Sequence, residues 1–262
     1  MTTTSDERRR DGGDTDFGFR RVPREDHAGM VSAIFDSVAD RYDLMNDLMS
    51  GGLHRLWKQA LIDWLNPRTS LRLIDVAGGT GDVALRALER VASRDGAPPE
   101  TVTICDPNDA MLRVAKRRAI DAGHLDGVAL VCARAEAMPV TSRAVNACTI
   151  SFGLRNVTDR MAALSELHRV LDMGGHFLCL EFSPSVMPML ASLYDTYSYR
   201  VLPWLGERVA GDREAYQYLA ESIRRFPDPE TLAGEMRATG FGNVRYRALS
   251  GGIVAIHSGW RV

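Results

Sequence analysis

The stretch Leu71-Arg72-Leu73-Ile74-Asp75-Val76-Ala77-Gly78-Gly79-Thr80-Gly81-Asp82 decides the fold. An apolar run of strand length closes on a carboxylate, turns through a glycine loop and opens a helical pattern. In α/β folds, the carboxyl end of a parallel strand facing a helix N-terminus is where nucleotides bind. Glycines there let the backbone turn tightly and let a ligand lie against it without Cβ clashes.

Gly79-Thr80-Gly81-Asp82-Val83-Ala84 also fits the G-x-G-x-x-G/A dinucleotide fingerprint, which seats a pyrophosphate on a helix N-terminus. Here Asp75 closes the strand and Asp82 opens the helix. Two carboxylates repel a phosphate and weaken the helix dipole's attraction for it. They suit a cationic ligand instead. S-adenosyl-L-methionine (SAM) carries a sulfonium and an ammonium and no phosphate. Asp106 closes the next apolar run, where an acid accepts hydrogen bonds from ribose hydroxyls in either ligand class. The glycine loop, Asp75 and Asp106 together favour SAM over a dinucleotide. The plainer reading of Asp82 is a helix N-cap.

Outward from this stretch the chain alternates. Strands are expected at 71–76, 101–105, 128–132, 145–150 and 175–182, and helices at 82–94, 109–122 and 158–171. A helix at about 229–239 stops at Gly240. Val244–Leu249 and Ile253–Trp260, around Ser250-Gly251-Gly252, read as an antiparallel hairpin. Five βα units closed by a hairpin predict an α/β domain, its sheet mostly parallel with an antiparallel edge. Residues 184–226 break the rhythm as an aromatic, helical insertion. Before the first strand, Val31, Ile34, Phe35, Val38 and Tyr42 fall at helix spacing. Leu53, Leu56, Trp57, Ala60, Leu61 and Trp64 form a second helical face, stopped by Asn66-Pro67. Residues 1–27, polar and charged, read as a disordered tail ahead of a single domain at 28–262.

The 262 residues carry a net charge of -2, so no basic field marks a nucleic-acid binder. No apolar run approaches the ~20 residues of a membrane span, and no signal-peptide core is evident. A cytoplasmic location is expected. Cys105, Cys132, Cys148 and Cys179 lie in separate strand-like runs and none is paired at C-x-x-C spacing. They read as small buried hydrophobes, and no metal site is expected.

Further motifs carry a resemblance. Tyr42-Asp43-Leu44-Met45-Asn46-Asp47-Leu48-Met49-Ser50, continuing to His54 and Trp57, resembles the N-terminal signature of the ubiquinone/menaquinone biosynthesis C-methyltransferases (UbiE type). Arg169-Val170-Leu171-Asp172-Met173-Gly174-Gly175-His176-Phe177-Leu178-Cys179-Leu180-Glu181-Phe182-Ser183 resembles their second signature. It departs at Asp172 and Met173, where the family usually has Lys and Pro. Ile150–Val157 and Tyr218–Ile223 match as well, so the likeness runs from about Phe35 to Val262.

The resemblance implies a Rossmann-like class I methyltransferase fold, with a seven-stranded sheet and a helical cap at 184–226. It implies SAM contacts at Thr80 in the loop, at Asp106, at Arg134-Ala135 and at Ser151, beside Asp75 and Gly78, which the strand end and glycine loop themselves offer. Arg134 stands where the family usually has Asn or Asp, and a guanidinium accepts no hydrogen bond from an adenine amino group.

The implied substrate is a polyprenylated benzoquinol or naphthoquinol, methylated on a ring carbon. That carbon becomes nucleophilic when a ring hydroxyl loses its proton. A group must therefore handle the proton or the resulting charge. Arg155 is the first candidate, as a cation beside the developing phenolate; a structural salt bridge is its alternative. His54 is a second candidate, as a base, against a packed core histidine. Tyr42 and Asp43 are candidates for a lid over the quinol.

Met187, Met189, Leu190, Leu193, Tyr194, Tyr197, Tyr199, Leu202, Trp204 and Leu205 offer an isoprenoid tail an apolar path. They are also the expected point of peripheral contact with the inner face of a membrane, with a helical cap packed on the sheet as the alternative. A homo-oligomer or a quinone-biosynthesis complex is a further expectation. Two rival functions remain: a nicotinamide-dependent oxidoreductase using the same loop, and a non-catalytic SAM-binding subunit.

Overall fold

The first element among the described residues is a hairpin. The computed structural model describes residues 13–38, 42–124, 127–186, 208 and 213–262. Within them β1 (Asp14–Phe17) and β2 (Arg20–Pro23) pair antiparallel across Gly18, whose φ is +58°. The expected disordered tail is thus corrected from residue 14 onward. One anchor makes the difference: Phe17 is buried and stacks on Tyr218 with ring centroids 4.4 Å apart. The Phe19 N–H adds a hydrogen bond to the Glu221 carboxylate at 3.0 Å. A composition argument counts the surrounding charges and overlooks a single buried ring.

Three helices follow: α1 (Arg24–Val38), α2 (Tyr42–Ser50) and α3 (His54–Leu65). α3 buries His54, Trp57, Lys58, Leu61, Ile62 and Leu65, one face at helical spacing. Leu53 and Leu56, expected on that face, point away from it, and Leu56 is 67% exposed. Asn66 stops α3 in the left-handed region at φ 50°, its N–H returning to the Ile62 carbonyl.

The βα alternation then runs as β3 (Arg72–Val76), α4 (Asp82–Asp95), β4 (Thr101–Asp106), α5 (Asp109–Asp121), β5 (Val128–Cys132), β6 (Val145–Ser151), α6 (Arg160–Val170) and β7 (Leu171–Phe182). α7 (Arg213–Arg225), α8 (Pro229–Ala238), β8 (Phe241–Leu249) and β9 (Val254–Arg261) complete it. The helix starts are encoded locally. Asn108 accepts from Met111 N–H, Asp159 from Ala162 N–H, and Asp228 from Glu230 and Thr231 N–H.

The seven strands stand in the order β5-β4-β3-β6-β7-β9-β8. β3 to β7 are mutually parallel, and β9 runs against both of its neighbours. The expected hairpin forms, but β9 inserts between β7 and β8 rather than extending the edge. Its residues Val254–Gly259 are buried without alternation, as an interior strand requires. Apolar clusters cover both faces of the sheet. Cys105, Cys148 and Cys179 lie inside; Cys132, expected there too, is exposed at the end of edge strand β5.

Within the inserted segment α7 packs Tyr216, Leu219 and Ile223 inward. The apolar series from Met187 to Leu205 lies outside the described residues, as do the side chains of Tyr42 and Asp43. Among the described residues no helix is long and apolar enough to cross a membrane.

Candidate active site

Chain order reverses at β3, which has β4 on one side and β6 on the other. This is the switch point at which open α/β sheets leave a crevice at the carboxyl ends of their strands. Two non-glycine residues face each other there in the left-handed region, Ala77 at φ 49° and Phe152 at φ 57°. Strain of this kind persists only where its surroundings hold it, and it concentrates at ligand sites. Gly153 lets the two turns pass: a Cβ on it would lie 2.4 Å from the Ala77 Cβ.

β3 delivers Asp75, fully buried. Thr149 Oγ1 donates to its Oδ1 at 2.7 Å, and its Oδ2 has no hydrogen-bond partner. Burial pushes this carboxyl up to about 7, against the pull of Thr149 and Lys58. Beyond it Gly78 donates its N–H to the Cys105 carbonyl. A Cβ on Gly78 would meet Ile104 Cγ2 at 2.9 Å and Asp75 Oδ2 at 3.0 Å, so only glycine fits.

Gly79 N–H and Asn108 N–H each donate to Asp106 at 2.8 Å, which ties the loop to the end of β4. Burial raises Asp106 to about 6 against these two donors. Thr80 is buried, its hydroxyl accepting from Arg118 at 3.1 Å. Gly81, not Asp82, is the N-cap of α4, which corrects the capping reading. Asp82 instead binds Lys58 Nζ at 2.8 Å and Arg86 Nε at 2.7 Å. Burial pushes Asp82 up, but these cations outweigh it and hold it at about 2.

Two spaces open on this loop. The larger, about 770 Å³ with its mouth, has Gly79 and Asp106 on one side and Arg134, Ala135 and Glu136 on another. Phe152, Gly153 and Asn156 line a third, and Val31, Ser32 and Phe35 of α1 cover it. An Asn108–Asp36 hydrogen bond of 2.8 Å pins α1 in place. The smaller pocket gathers Asp75, Gly78, Thr80, Asp82, Ser151 and Lys58. Ser151 Oγ is buried there without a partner.

Sequence reasoning missed Glu136. It accepts from Arg134 at 3.0 Å and from Thr158 N–H at 3.0 Å, so it holds the Arg134 guanidinium along the cleft wall. It also missed the cover from α1, whose apolar face reads as ordinary core. The acid two positions past Arg134 was the one available signal.

The two proposed catalytic residues lie elsewhere. Arg155 is in a buried ion pair with Glu181 at 2.6 Å, with side chains 4% and 1% exposed. It also donates to the Phe152 carbonyl at 2.6 Å and stands 5.5 Å from the Phe182 ring centroid. Arg155 lines a separate polar cavity beneath the β1–β2 hairpin, beside Asp16, Arg24 and Tyr218. The salt-bridge alternative is what forms. Burial raises the Glu181 carboxyl, and Arg155 pulls it back down. His54 lines neither the cleft nor the small pocket. Its Nε2 lies 2.9 Å from Asp47 Oδ1, and burial lowers its pKa despite that partner. The structure makes it a packed core histidine. Among the described residues no group of three or more His, Cys, Asp or Glu could hold a metal ion.

The residues fit SAM. Orphaned Asp75 Oδ2 and Ser151 Oγ await polar partners, the Gly78 cradle admits close approach, and Asp106 faces the cleft. The strand order is that of class I SAM-dependent methyltransferases, and solved structures of that class superimpose. A SAM-dependent methyltransferase from Thermotoga maritima does so with a TM-score of 0.62 at 17% identity, covering 88% of this chain and 100% of its own.

The chain belongs to the ubiE/COQ5 methyltransferase family, whose model matches residues 22–261. It is 55% identical over 252 residues to the ubiquinone/menaquinone biosynthesis C-methyltransferase UbiE of Methylobacterium nodulans, covering 95% of this chain and 97% of that one. It is 51% identical to the UbiE of Paracoccus denitrificans, with the same coverage. This family membership sets aside the nicotinamide-dependent oxidoreductase.

Proposed function

We propose that this chain methylates a ring carbon of a polyprenylated benzoquinol or naphthoquinol in ubiquinone/menaquinone biosynthesis, with SAM as methyl donor. The observation that carries the reading is the small pocket. Buried Asp75 Oδ2 and Ser151 Oγ lack partners there, beside a glycine that no other residue can replace. When bound, SAM supplies a methyl group on an electron-poor sulfur.

Asp106 takes the ribose hydroxyls, Arg134 and Ala135 wall the adenine, and Asp75, Gly78, Thr80 and Ser151 hold the amino-acid end. Trp57, Phe152 and Phe182 form an aromatic cluster beside Ser151, with Phe152 and Phe182 centroids 4.7 Å apart. This cluster gives a flat ring an apolar wall and excludes water from the reacting carbon. Arg155 lies outside this cleft, where its ion pair with Glu181 and its bond to the Phe152 carbonyl brace the turn that lines it. The apolar series from Met187 to Leu205 takes the isoprenoid tail and contacts the membrane surface.

The test is incubation of the purified protein with SAM and a short-tailed quinol, with the product's methyl position read by NMR. A new ring C-methyl supports the reading; an O-methyl or no product refutes it. Arg155→Met is expected to lower turnover together with stability, because it leaves Glu181 buried without its partner. Flotation with anionic liposomes tests the tail path: Trp204→Glu should float less than wild type, and equal flotation counts against it.

A further inference from the structure

α3 brings one cation to the small pocket. Lys58 is buried, and its Nζ lies 2.8 Å from Asp82 Oδ2. A buried ammonium requires partners. Yet Asp82 is shared with Arg86 at 2.7 Å, so two cations meet one carboxylate. An ammonium has three donors, and Asp82 takes one of them. The remaining donors belong to a side chain that lines the pocket. α4 begins at the same place with a glycine N-cap that offers no side-chain acceptor, so its first N–H groups and its dipole also favour an anion.

Two other groups on the same lining have the opposite preference. Asp75 Oδ2 is buried without a hydrogen-bond partner, and Ser151 Oγ beside it can accept or donate. The pocket is therefore bipolar, anion-seeking at Lys58 and cation-seeking at Asp75. A group carrying a carboxylate and an ammonium one carbon apart matches that polarity.

We propose that Lys58 binds the carboxylate of SAM's methionine end and so makes the site select a nucleoside bearing an intact α-amino acid. The inference rests on the SAM reading of the cleft and adds a residue from α3, outside the glycine loop. It also explains why a lysine stands in the buried stripe of α3 among Trp57, Leu61 and Ile62.

Titration calorimetry with three ligands tests it: SAM, decarboxylated SAM, and 5′-methylthioadenosine, which lacks the amino-acid end. Wild type is expected to bind SAM at least about tenfold tighter than decarboxylated SAM, the scale of a charge-assisted contact. Lys58→Met should weaken SAM by about 10–100-fold while leaving the other two within about threefold. Lys58→Arg, which keeps the charge, should restore the preference for SAM.

Equal wild-type affinity for SAM and decarboxylated SAM overturns the inference and needs no folded variant. A Lys58→Met protein that loses all three ligands alike also overturns it, and leaves Lys58 as a structural clip between α3 and α4. Wild type that binds methylthioadenosine but neither sulfonium ligand overturns the SAM reading itself, and the inference with it.

Discussion

Asp75 is a carboxyl whose folded-state pKa stands far above its unfolded one, and removing its charge has a calculable effect. Its value rises from 3.8 to about 7 on folding. A group raised in this way stabilises the fold fully below its unfolded pKa, and that stability is lost as pH rises through the folded one. The shift is about 3 units at 1.36 kcal/mol each, or about 4 kcal/mol in full. Between pH 6 and pH 8 on the order of 1 kcal/mol of it should disappear.

Asp75→Asn keeps an acceptor for Thr149 and removes the titration. Urea denaturation of ligand-free protein at both pH values should show wild type losing on the order of 1 kcal/mol more than Asp75→Asn. Asp106, Glu181 and the histidines titrate in both proteins and cancel in the difference. A cation beside Asp75 reverses its preference. Binding of SAM at pH 6 should then release most of a proton from Asp75, and little at pH 8. Calorimetry in buffers of different ionisation enthalpy measures this. Parallel denaturation slopes for the two proteins, or equal proton release by both at pH 6, would refute the reasoning.

Gly78→Ala should cost about 1–3 kcal/mol in a urea melt and weaken SAM binding, because the new Cβ meets Ile104 and the Asp75 carboxylate. Glu181→Gln leaves Arg155 buried without its counter-charge and should destabilise by about 3–5 kcal/mol, read by the same melt. Phe17→Ala should free the β1–β2 hairpin; trypsin cleavage at Arg20 and Arg21 should accelerate while SAM affinity stays put.

What the sequence made legible was whatever a strand end fixes by itself. Asp75, Gly78, Thr80, Asp106, Ala135 and Ser151 each sit at or within a few residues of a β-strand's carboxyl end, and parallel packing alone brings such ends together. The parts that stayed hidden depend on partners far away in the chain. Arg155 is followed by a 26-residue gap before Glu181 claims it. Lys58 shares the helical period of buried Leu61, Ile62 and Leu65, and only Asp82, 24 positions later, accounts for a charge there. Leu56 satisfies the helical period and is exposed nonetheless, because periodicity gives a face and not its neighbour. The position of β9 was hidden for the same reason: a hairpin pattern fixes pairing with β8 and is silent about which strand receives the other edge.

That position bears on the order in which the molecule can assemble. β9 is made after β8, yet it must lie between β8 and β7, pairing His176–Phe182 with Val254–Trp260. While the chain is being synthesised, β7 has β6 on one side and a row of bare amide and carbonyl groups on the other. Such an edge is a template for intermolecular pairing. A nascent or prematurely terminated chain lacking Val254–Arg261 would keep that edge open with β8 left unattached. Such a chain would be open to pairing with its own copies along β7.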